Sequence, residues 1–399
     1  MKSELTLRGR IVTATMDLPD GVLTADGGLV TFAGPVPEFP GVLPEKGPGD
    51  RILMPGLVDL HCHGAYGWDF SEGDLDGASR AARYLHSRGT TTLLASVVTG
   101  NPQDLMRSLG VLKELAEQGL VAGSHLEGPF LSSQQCGAHD PALLRDPDPE
   151  LVTQLLAAAG PSLASMTLAA ELSGASGLVD QLSALGIVPS LGHTAADHTT
   201  AAAFLERAAA GLRSAADSAG RMRPTVTHLF NAMPPLHHRS PGPASASLSA
   251  ARAGTAVVEL IGDGVHLAPE TVKLVFDLIG ADNIALVTDA MAATGLEDGQ
   301  YRLGSLSVTV TDGVARVDGT GAIAGGTATL LDVVRTTVAA GVPLQDAVTS
   351  ASAVPASVLG LPAEVGDLGA GMRADILVLG QELQVAGVLR DGEWVHEVG

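Results

Sequence analysis

The chain has 399 residues and a formal net charge of −21, and hydrophobic residues make up 45% of it but aromatic residues only 3%. This length suits one α/β barrel of about 250 residues together with a smaller unit. The acidic balance and the lack of a basic run argue against a nucleic-acid-binding protein, and no uninterrupted apolar run is long enough to span a membrane. Two cysteines, Cys62 and Cys136, cannot build a disulfide framework, so we expect a cytoplasmic protein.

Short alternating segments open the chain and predict the strands of a small β unit, at residues 5–15, 28–33 and 51–53. The C-terminal stretches ADILVLG and LQVAGVLRDGEWVHEV have the same alternation. We therefore predict a small discontinuous β-sandwich domain formed by both termini, from residues 1–53 and 368–399.

From residue 54 to 367, apolar runs of strand length alternate with helical stretches rich in Ala and Leu. Eight runs follow one another: GLVDLHC, TTLLASVV, LVAGSHLE, SMTLAAE, GIVPSLGH, TVTHLF, AVVELIGDG and NIALVTDA. This alternation predicts an α/β fold, a parallel (β/α)8 TIM barrel. An alternating segment around an Asp-Gly turn, near 301–318, predicts a β-hairpin inserted before the last barrel helix.

Polar residues end five of the predicted barrel strands, where barrel enzymes carry their active sites. In VDLHCHG, the two-residue period of a strand places Asp59, His61 and His63 on one face. The other four ends carry His125 with Glu127, His193, His228 and Asp289. Each histidine alone could be an ordinary core or helix-capping residue. Five such ends together favour a catalytic metal site with an open coordination position.

The stretches MPGLVDLHCHG, HLEGPF, LGHT, THLFNAM, GDGVH and TDA have the order and spacing found in the amidohydrolase superfamily. Over nearly its whole length the chain resembles the N-acetylglucosamine-6-phosphate deacetylases of that superfamily. Many two-metal amidohydrolases carry a carboxylated lysine on the fourth strand, but SMTLAAE contains no lysine. Glu127 would then supply the shared carboxylate, which argues against a dihydroorotase or a hydantoinase.

The resemblance implies a role for each residue that matches a family motif. The implied metal ligands are Glu127, His193, His228, His61 and His63. The implied general acid/base is Asp289. The implied substrate contacts are His139, Ala138, Asn231, Ala232, Arg239 and His266. Since His61 and His63 are both present, we expect capacity for two divalent ions rather than one, zinc first, with iron, manganese or cobalt as alternatives.

The implied reaction is hydrolysis of N-acetyl-D-glucosamine 6-phosphate to D-glucosamine 6-phosphate and acetate, in amino-sugar catabolism and cell-wall recycling. A planar guanidinium suits a phosphate dianion, so Arg239 is expected to bind the phosphate, with His237 and His238 adding positive potential. Two alternatives stay open: a deacetylase for another amino-sugar phosphate, such as N-acetylgalactosamine 6-phosphate, and a metal-free assembly protein. The resemblance also implies a homodimer, in which Arg239 could serve the neighbouring subunit, and no nucleic-acid or membrane partner is expected.

Overall fold

The computed structural model describes residues 4–44, 51–215 and 222–397. Within them, eight parallel strands form the central sheet, one from each predicted run, which confirms the barrel. The barrel strands are Leu57–Cys62, Thr90–Val98, Gly123–Glu127, Leu163–Leu168, Val188–Leu191, Thr225–Val226, Val257–Leu260 and Ile284–Leu286. They pair in chain order. The chain beyond the eighth strand returns to the first, where Asp289 N donates to His61 O at 2.9 Å.

Ten α-helices lie in the described part of the chain, and most of them follow a barrel strand. They span Leu75–Ser87, Pro102–Glu117, Pro149–Ala159, Ala175–Ala184, His198–Ala215, Gly242–Arg252, Pro269–Ile279, Leu330–Ala339, Leu344–Ala351 and Ala353–Val358. Local chemistry sets their starts: Asp74 accepts from two backbone N–H groups of the first helix, and Thr329 with Asp332 forms a capping box. None of the described helices is both long and apolar enough to cross a membrane.

Both termini build a second sheet, which has seven strands among the described residues and its own apolar core. These strands are Leu5–Val12, Asp17–Asp26, Leu29–Pro35, Ile52–Pro55, Ile376–Leu379, Val385–Arg390 and Glu393–Glu397. The strand Ile52–Pro55 pairs parallel with Leu5–Val12 and antiparallel with Ile376–Leu379, so it joins the two halves. The discontinuous β domain is thereby confirmed. Its predicted limits stay a prediction, and residues 1–3, 45–50, 398 and 399 lie outside the described residues.

The insertion before the last barrel helices is a three-stranded antiparallel sheet in the described chain, formed by Gly299–Leu303, Leu306–Thr311 and Val314–Val317. The expected hairpin corresponds to its second and third strands. A further strand precedes them because Gly304 and Ser305 make a second tight turn. Gly304 N donates to Asp69 Oδ2 at 2.7 Å, which fixes the insertion beside the carboxyl ends of the barrel strands. Asp69 belongs to a small hairpin of Gly64–Ala65 and Trp68–Asp69.

Candidate active site

Glu127 ends the third barrel strand, and each of its carboxylate oxygens faces a different set of side chains. Its Oε1 lies 3.1 Å from His193 Nε2 and 3.0 Å from His228 Nε2, and these two nitrogens are 3.1 Å apart. Tetrahedral bonds of about 2.0–2.1 Å place neighbouring ligand atoms roughly 3.4 Å apart. The three atoms, which we call the first ligand set, can therefore bind one common metal ion.

The other oxygen of Glu127 belongs to a second ligand set, together with His61 and His63 from the end of the first barrel strand. Glu127 Oε2 lies 3.2 Å from His63 Nε2 and 3.7 Å from His61 Nε2, and the two imidazole nitrogens are 2.9 Å apart. Asp289 Oδ1 adjoins this set, 3.1 Å from His63 Nε2 and 3.5 Å from His61 Nε2. The two oxygens of Glu127 thus face different pairs of imidazoles.

Three of these side chains come from residues with a left-handed backbone. The angle φ is 46° at His193, 29° at His228 and 49° at Asp289. Each residue lies within three positions of the end of its strand, where the chain turns away from the barrel. Side-chain-bearing residues seldom adopt this conformation, and it concentrates at functional sites because the surrounding structure must hold it. The turns therefore direct His193 and His228 towards Glu127, and Asp289 towards His61 and His63.

The cluster is buried and its donor atoms have a chemistry suited to a metal ion. The exposed fractions are 0% for His61, 1% for His63, 3% for Glu127, 4% for His193, 4% for His228 and 9% for Asp289. Burying two carboxylates is unfavourable unless protons or a cation balance them. Imidazole and carboxylate donors at these separations suit zinc, iron, manganese or cobalt. The residues present therefore fit a divalent metal ion.

The electrostatics show how the cluster is balanced when protons take the place of a cation. Burial alone would raise the pKa of Glu127, but His61 and His139 outweigh it and hold that pKa well below its usual range. Burial would likewise raise the pKa of Asp289, but His61 and His63 outweigh burial and lower that pKa. Burial would lower the pKa of His63, yet its contacts with Asp289 and Glu127 raise it to about 9. Both carboxylates are therefore ionised near neutral pH, and a bound ion would displace the histidine protons.

A pocket opens onto this cluster, and five of the six expected substrate contacts line it. They are His139, Ala138, Asn231, Ala232 and His266. The sixth, Arg239, is exposed in a loop and does not line the pocket. Among the described residues no Lys or Arg lines it. The roles of all six stay predictions.

His139 is held as a hydrogen-bond donor at the wall of this pocket. The backbone N–H of Thr99 donates to His139 Nδ1 at 3.4 Å, so the ring hydrogen sits on Nε2. That Nε2 lies 3.3 Å from Glu127 Oε2. Burial lowers the pKa of His139 to about 4, so the ring is neutral near pH 7. A neutral N–H donor beside the proposed ion positions can stabilise negative charge on a substrate oxygen.

His266 reaches the pocket from a turn fixed by Asp263. Asp263 Oδ1 accepts from the backbone N–H groups of Val265 and His266, and its Oδ2 lies 2.8 Å from His266 Nδ1. Burial would lower the pKa of His266, but the hydrogen bond with Asp263 raises it. His266 Nε2 lies 4.0 Å from Asp289 Oδ2. Asp263 thus orients a histidine towards the predicted acid/base.

Three polar residues of the barrel interior lie beside the two ligand sets without belonging to them. Asp59 accepts from Thr288 Oγ1 at 2.6 Å, and His125 lies between Ser96 Oγ and Thr167 Oγ1. The third, Glu259 of the seventh barrel strand, was not found by sequence reasoning, although an acidic residue within the apolar run AVVELIG was a usable signal. Its Oε2 lies 3.2 Å from His61 Nδ1.

The chain matches the model of the Amidohydrolase family over residues 52–395. It is 35% identical to N-acetylglucosamine-6-phosphate deacetylase of Homo sapiens over 360 residues, which cover 88% of this chain and 84% of that protein. It is 36% identical to the protein of the same name from Bacillus subtilis (strain 168) over 303 residues, covering 74% of this chain and 72% of that protein.

Solved structures agree with the sequence comparisons. A mutant of N-acetyl-D-glucosamine-6-phosphate deacetylase from Mycobacterium smegmatis, in complex with N-acetyl-D-glucosamine-6-phosphate, superposes with a TM-score of 0.90 at 40% identity. The match covers 99% of this chain and 100% of that chain. N-acetylglucosamine-6-phosphate deacetylase from Thermotoga maritima superposes with a TM-score of 0.85 at 30% identity, covering 99% and 100%.

Proposed function

The chain belongs to the amidohydrolase family, and we propose that it hydrolyses N-acetyl-D-glucosamine 6-phosphate to D-glucosamine 6-phosphate and acetate. The observation that carries this proposal is the position of Glu127, whose two oxygens each face a pair of imidazoles in a pocket that also contains Asp289. Amide hydrolysis needs an activated water, a stabilised oxyanion and a proton for the leaving amine. This pocket can supply all three.

We propose that the chain binds one or two divalent ions, zinc in the first place. Glu127, His193 and His228 would hold one ion, and Glu127, His61 and His63 the other. When bound, such an ion supplies Lewis-acid chemistry, which polarises a carbonyl and lowers the pKa of water towards about 7. Glu127 would contribute a different carboxylate oxygen to each ion.

Asp289 is proposed as the group that moves the proton. Its lowered pKa keeps it ionised, so one of its carboxylate oxygens can accept a proton from the attacking water. The water oxygen bonds to the acetyl carbon, while the Nε2–H of His139 donates to the acetyl oxygen. When the C–N bond breaks, Asp289 returns the proton to the sugar nitrogen, which leaves as the amine. Acetate and D-glucosamine 6-phosphate are the products.

The phosphate is proposed to bind at the outer end of the pocket, next to Asn231 and Ala232. Since no described Lys or Arg lines the pocket, the dianion requires a cation from elsewhere. Arg239 is the candidate, because it follows Asn231 and Ala232 on the same connection and its side chain is exposed. We propose that it reaches the site of the partner in a homodimer, and the half-exposed Leu236 beside it suits such an interface.

The cytoplasm, where Cys62 and Cys136 stay reduced, is the proposed compartment.

An acetate-release assay on metal-reconstituted protein tests the proposal. We expect turnover of N-acetyl-D-glucosamine 6-phosphate to exceed that of unphosphorylated N-acetyl-D-glucosamine by more than about 100-fold in kcat/KM, because charged hydrogen bonds to phosphate are lost without it. The galactosamine epimer of the phosphate serves as the matched substrate. Faster turnover of that epimer would favour the alternative amino-sugar phosphate, and no acetate from any of the three would contradict the deacetylase assignment.

A further inference from the structure

Glu259 is a buried carboxylate that touches one residue of each ligand set but has no part in the proposed reaction. Its side chain is 4% exposed. Its Oε2 lies 3.2 Å from His61 Nδ1 and accepts from the backbone N–H of His228 at 3.3 Å. The two contacts differ in kind, because one reaches the ring of a ligand and the other only the backbone.

The contact with His61 fixes how that imidazole faces the cluster. A carboxylate oxygen accepts, so Nδ1 of His61 carries a hydrogen, and Nε2 is the ring nitrogen that faces His63, Glu127 and Asp289. A carboxylate behind a metal-ligating imidazole sets its tautomer and orientation and strengthens it as a donor. We propose that Glu259 is a positioning residue that prepares His61 to bind the second ion, an inference that rests on the proposed function.

The Nδ1 atoms of the other three ligand histidines have no carboxylate partner among the described residues. His193 Nδ1 has a backbone partner, Gln135 O at 2.9 Å. Nδ1 of His63 and Nδ1 of His228 have no hydrogen-bond partner among the described residues. His61 is thus the ligand whose ring a carboxylate orients. Any acceptor at position 259 can hold the backbone of His228, whereas the ring of His61 depends on the charge of Glu259.

The Glu259→Gln variant tests the second ligand set separately from the first. It keeps the shape of the side chain and an oxygen for the His228 N–H, but it removes the charge behind His61. Metal-free protein would be titrated with Zn²⁺, and bound ions per subunit would be measured by elemental analysis after dialysis against buffered free metal. We expect a loss of about 10–100-fold in affinity for one of the two ions, with the other unchanged.

A double-mutant cycle with His61→Ala tests whether Glu259 acts through His61. In the His61→Ala background, Glu259→Gln should cause no further loss of metal affinity, because the ring it orients is gone. The control is Asp69→Asn, which alters another buried carboxylate, 3% exposed, whose partners are Ser71 N and Gly304 N. Asp69→Asn should keep both ions. Should Glu259→Gln fail to fold, Glu259→Asp withdraws the charge from His61 Nδ1 and should lose the same ion.

Four results would overturn the inference: unchanged binding in Glu259→Gln, equal weakening of both ions, a further loss in the His61→Ala background, or a parent protein that binds only one ion at saturating metal. None of these affects the deacetylase assignment, which acetate release decides. Protein that binds two ions, loses one in Glu259→Gln and releases no acetate would instead contradict the proposed function and leave this inference standing.

Discussion

The inner and outer ends of the pocket are built in opposite ways. At the inner end, Glu127, His61 and His228 lie at or just beyond the ends of barrel strands and are almost fully buried, and the carboxylate oxygens of Glu127 lie 3.0–3.7 Å from Nε2 of the two histidines. The outer end has Asn231 and Ala232, and residues 235–240 follow them along the chain outside the pocket lining. These residues are exposed, and the backbone N–H of Arg239 donates to His237 Nδ1 at 3.3 Å. The residues of the inner end come from one chain, whereas the Arg239 side chain near the outer end is exposed to the surroundings.

This difference matches what each end is proposed to do. Chemistry requires groups held within fractions of an ångström, which packed strand ends provide. Recognition of a phosphate requires a charged side chain that can reach it, and a second subunit can supply this. We therefore expect substitutions at the inner end to abolish metal binding or turnover, and substitutions at the outer end to weaken substrate binding.

The largest effect is expected for Glu127→Gln at the inner end. Gln leaves one amide oxygen, which can serve only one ligand set, and removes the negative charge from both, so metal affinity should fall at both sets and turnover should fall by more than about 10⁴-fold. Ions per subunit and acetate release would be measured together. Glu171→Gln is the matched control, because Glu171 follows the fourth barrel strand and accepts from Thr194 Oγ1 and Ala195 N instead of facing the cluster. Retention of both ions in Glu127→Gln would contradict the bridging role.

A smaller effect is expected for Asp289→Asn, which keeps the shape of the side chain but cannot hold the proton. We expect kcat to fall by about 10²–10⁴-fold, the usual share of general acid–base catalysis, with little change in KM. The first ligand set should keep its ion, since the ligand residues that Asp289 contacts, His61 and His63, belong to the second set. Near-normal kcat in metal-loaded Asp289→Asn would assign proton transfer to another group.

The inner end could be predicted from the sequence because strand ends carry a local signal. The runs ending at His63, Glu127 and His193 are largely apolar, of strand length and end in polar residues, and a parallel barrel brings such ends to one face. The alternation predicts which face of a strand a residue lies on, but it does not predict how deep in the barrel its side chain lies. Asp59 and His125 have the same alternation as His61 and Glu127, yet they lie beside the cluster and bond to Thr288, Ser96 and Thr167.

Other features depend on contacts between distant segments, which a sequence pattern does not contain. Glu259 meets His61 across 198 positions of the chain, so its orientation follows only from barrel closure. The extra strand Gly299–Leu303 had a short signal in the Gly304–Ser305 turn, which is weaker than the Asp-Gly turn that follows. The proposed reach of Arg239 into a partner's site would depend on a contact between two chains, and a single sequence does not encode that directly.

The smallest effect is expected at the outer end, for Arg239→Ala. Loss of a charged hydrogen bond worth about 1.5–3 kcal/mol should lower kcat/KM by about 10–100-fold, through KM, with both ions retained. Unphosphorylated N-acetyl-D-glucosamine is the control substrate, and its kcat/KM should not change. A fall in kcat/KM that is equal for both substrates would contradict the phosphate role.

Mixed dimers decide whether Arg239 acts within its own subunit or across an interface. If it acts across the interface, a dimer of one Arg239→Ala and one Asp289→Asn subunit contains one complete site, because the Arg239→Ala subunit keeps Asp289 and receives Arg239 from its partner. Unfolding and refolding the two variants together at equal amounts should then restore about a quarter of the parent kcat/KM, measured at substrate concentrations below KM, since half of the dimers are mixed and half of their sites are complete. Activity no greater than the mean of the two variants would place Arg239 in its own subunit's site, and the outer end would then be complete within one chain, as the inner end is.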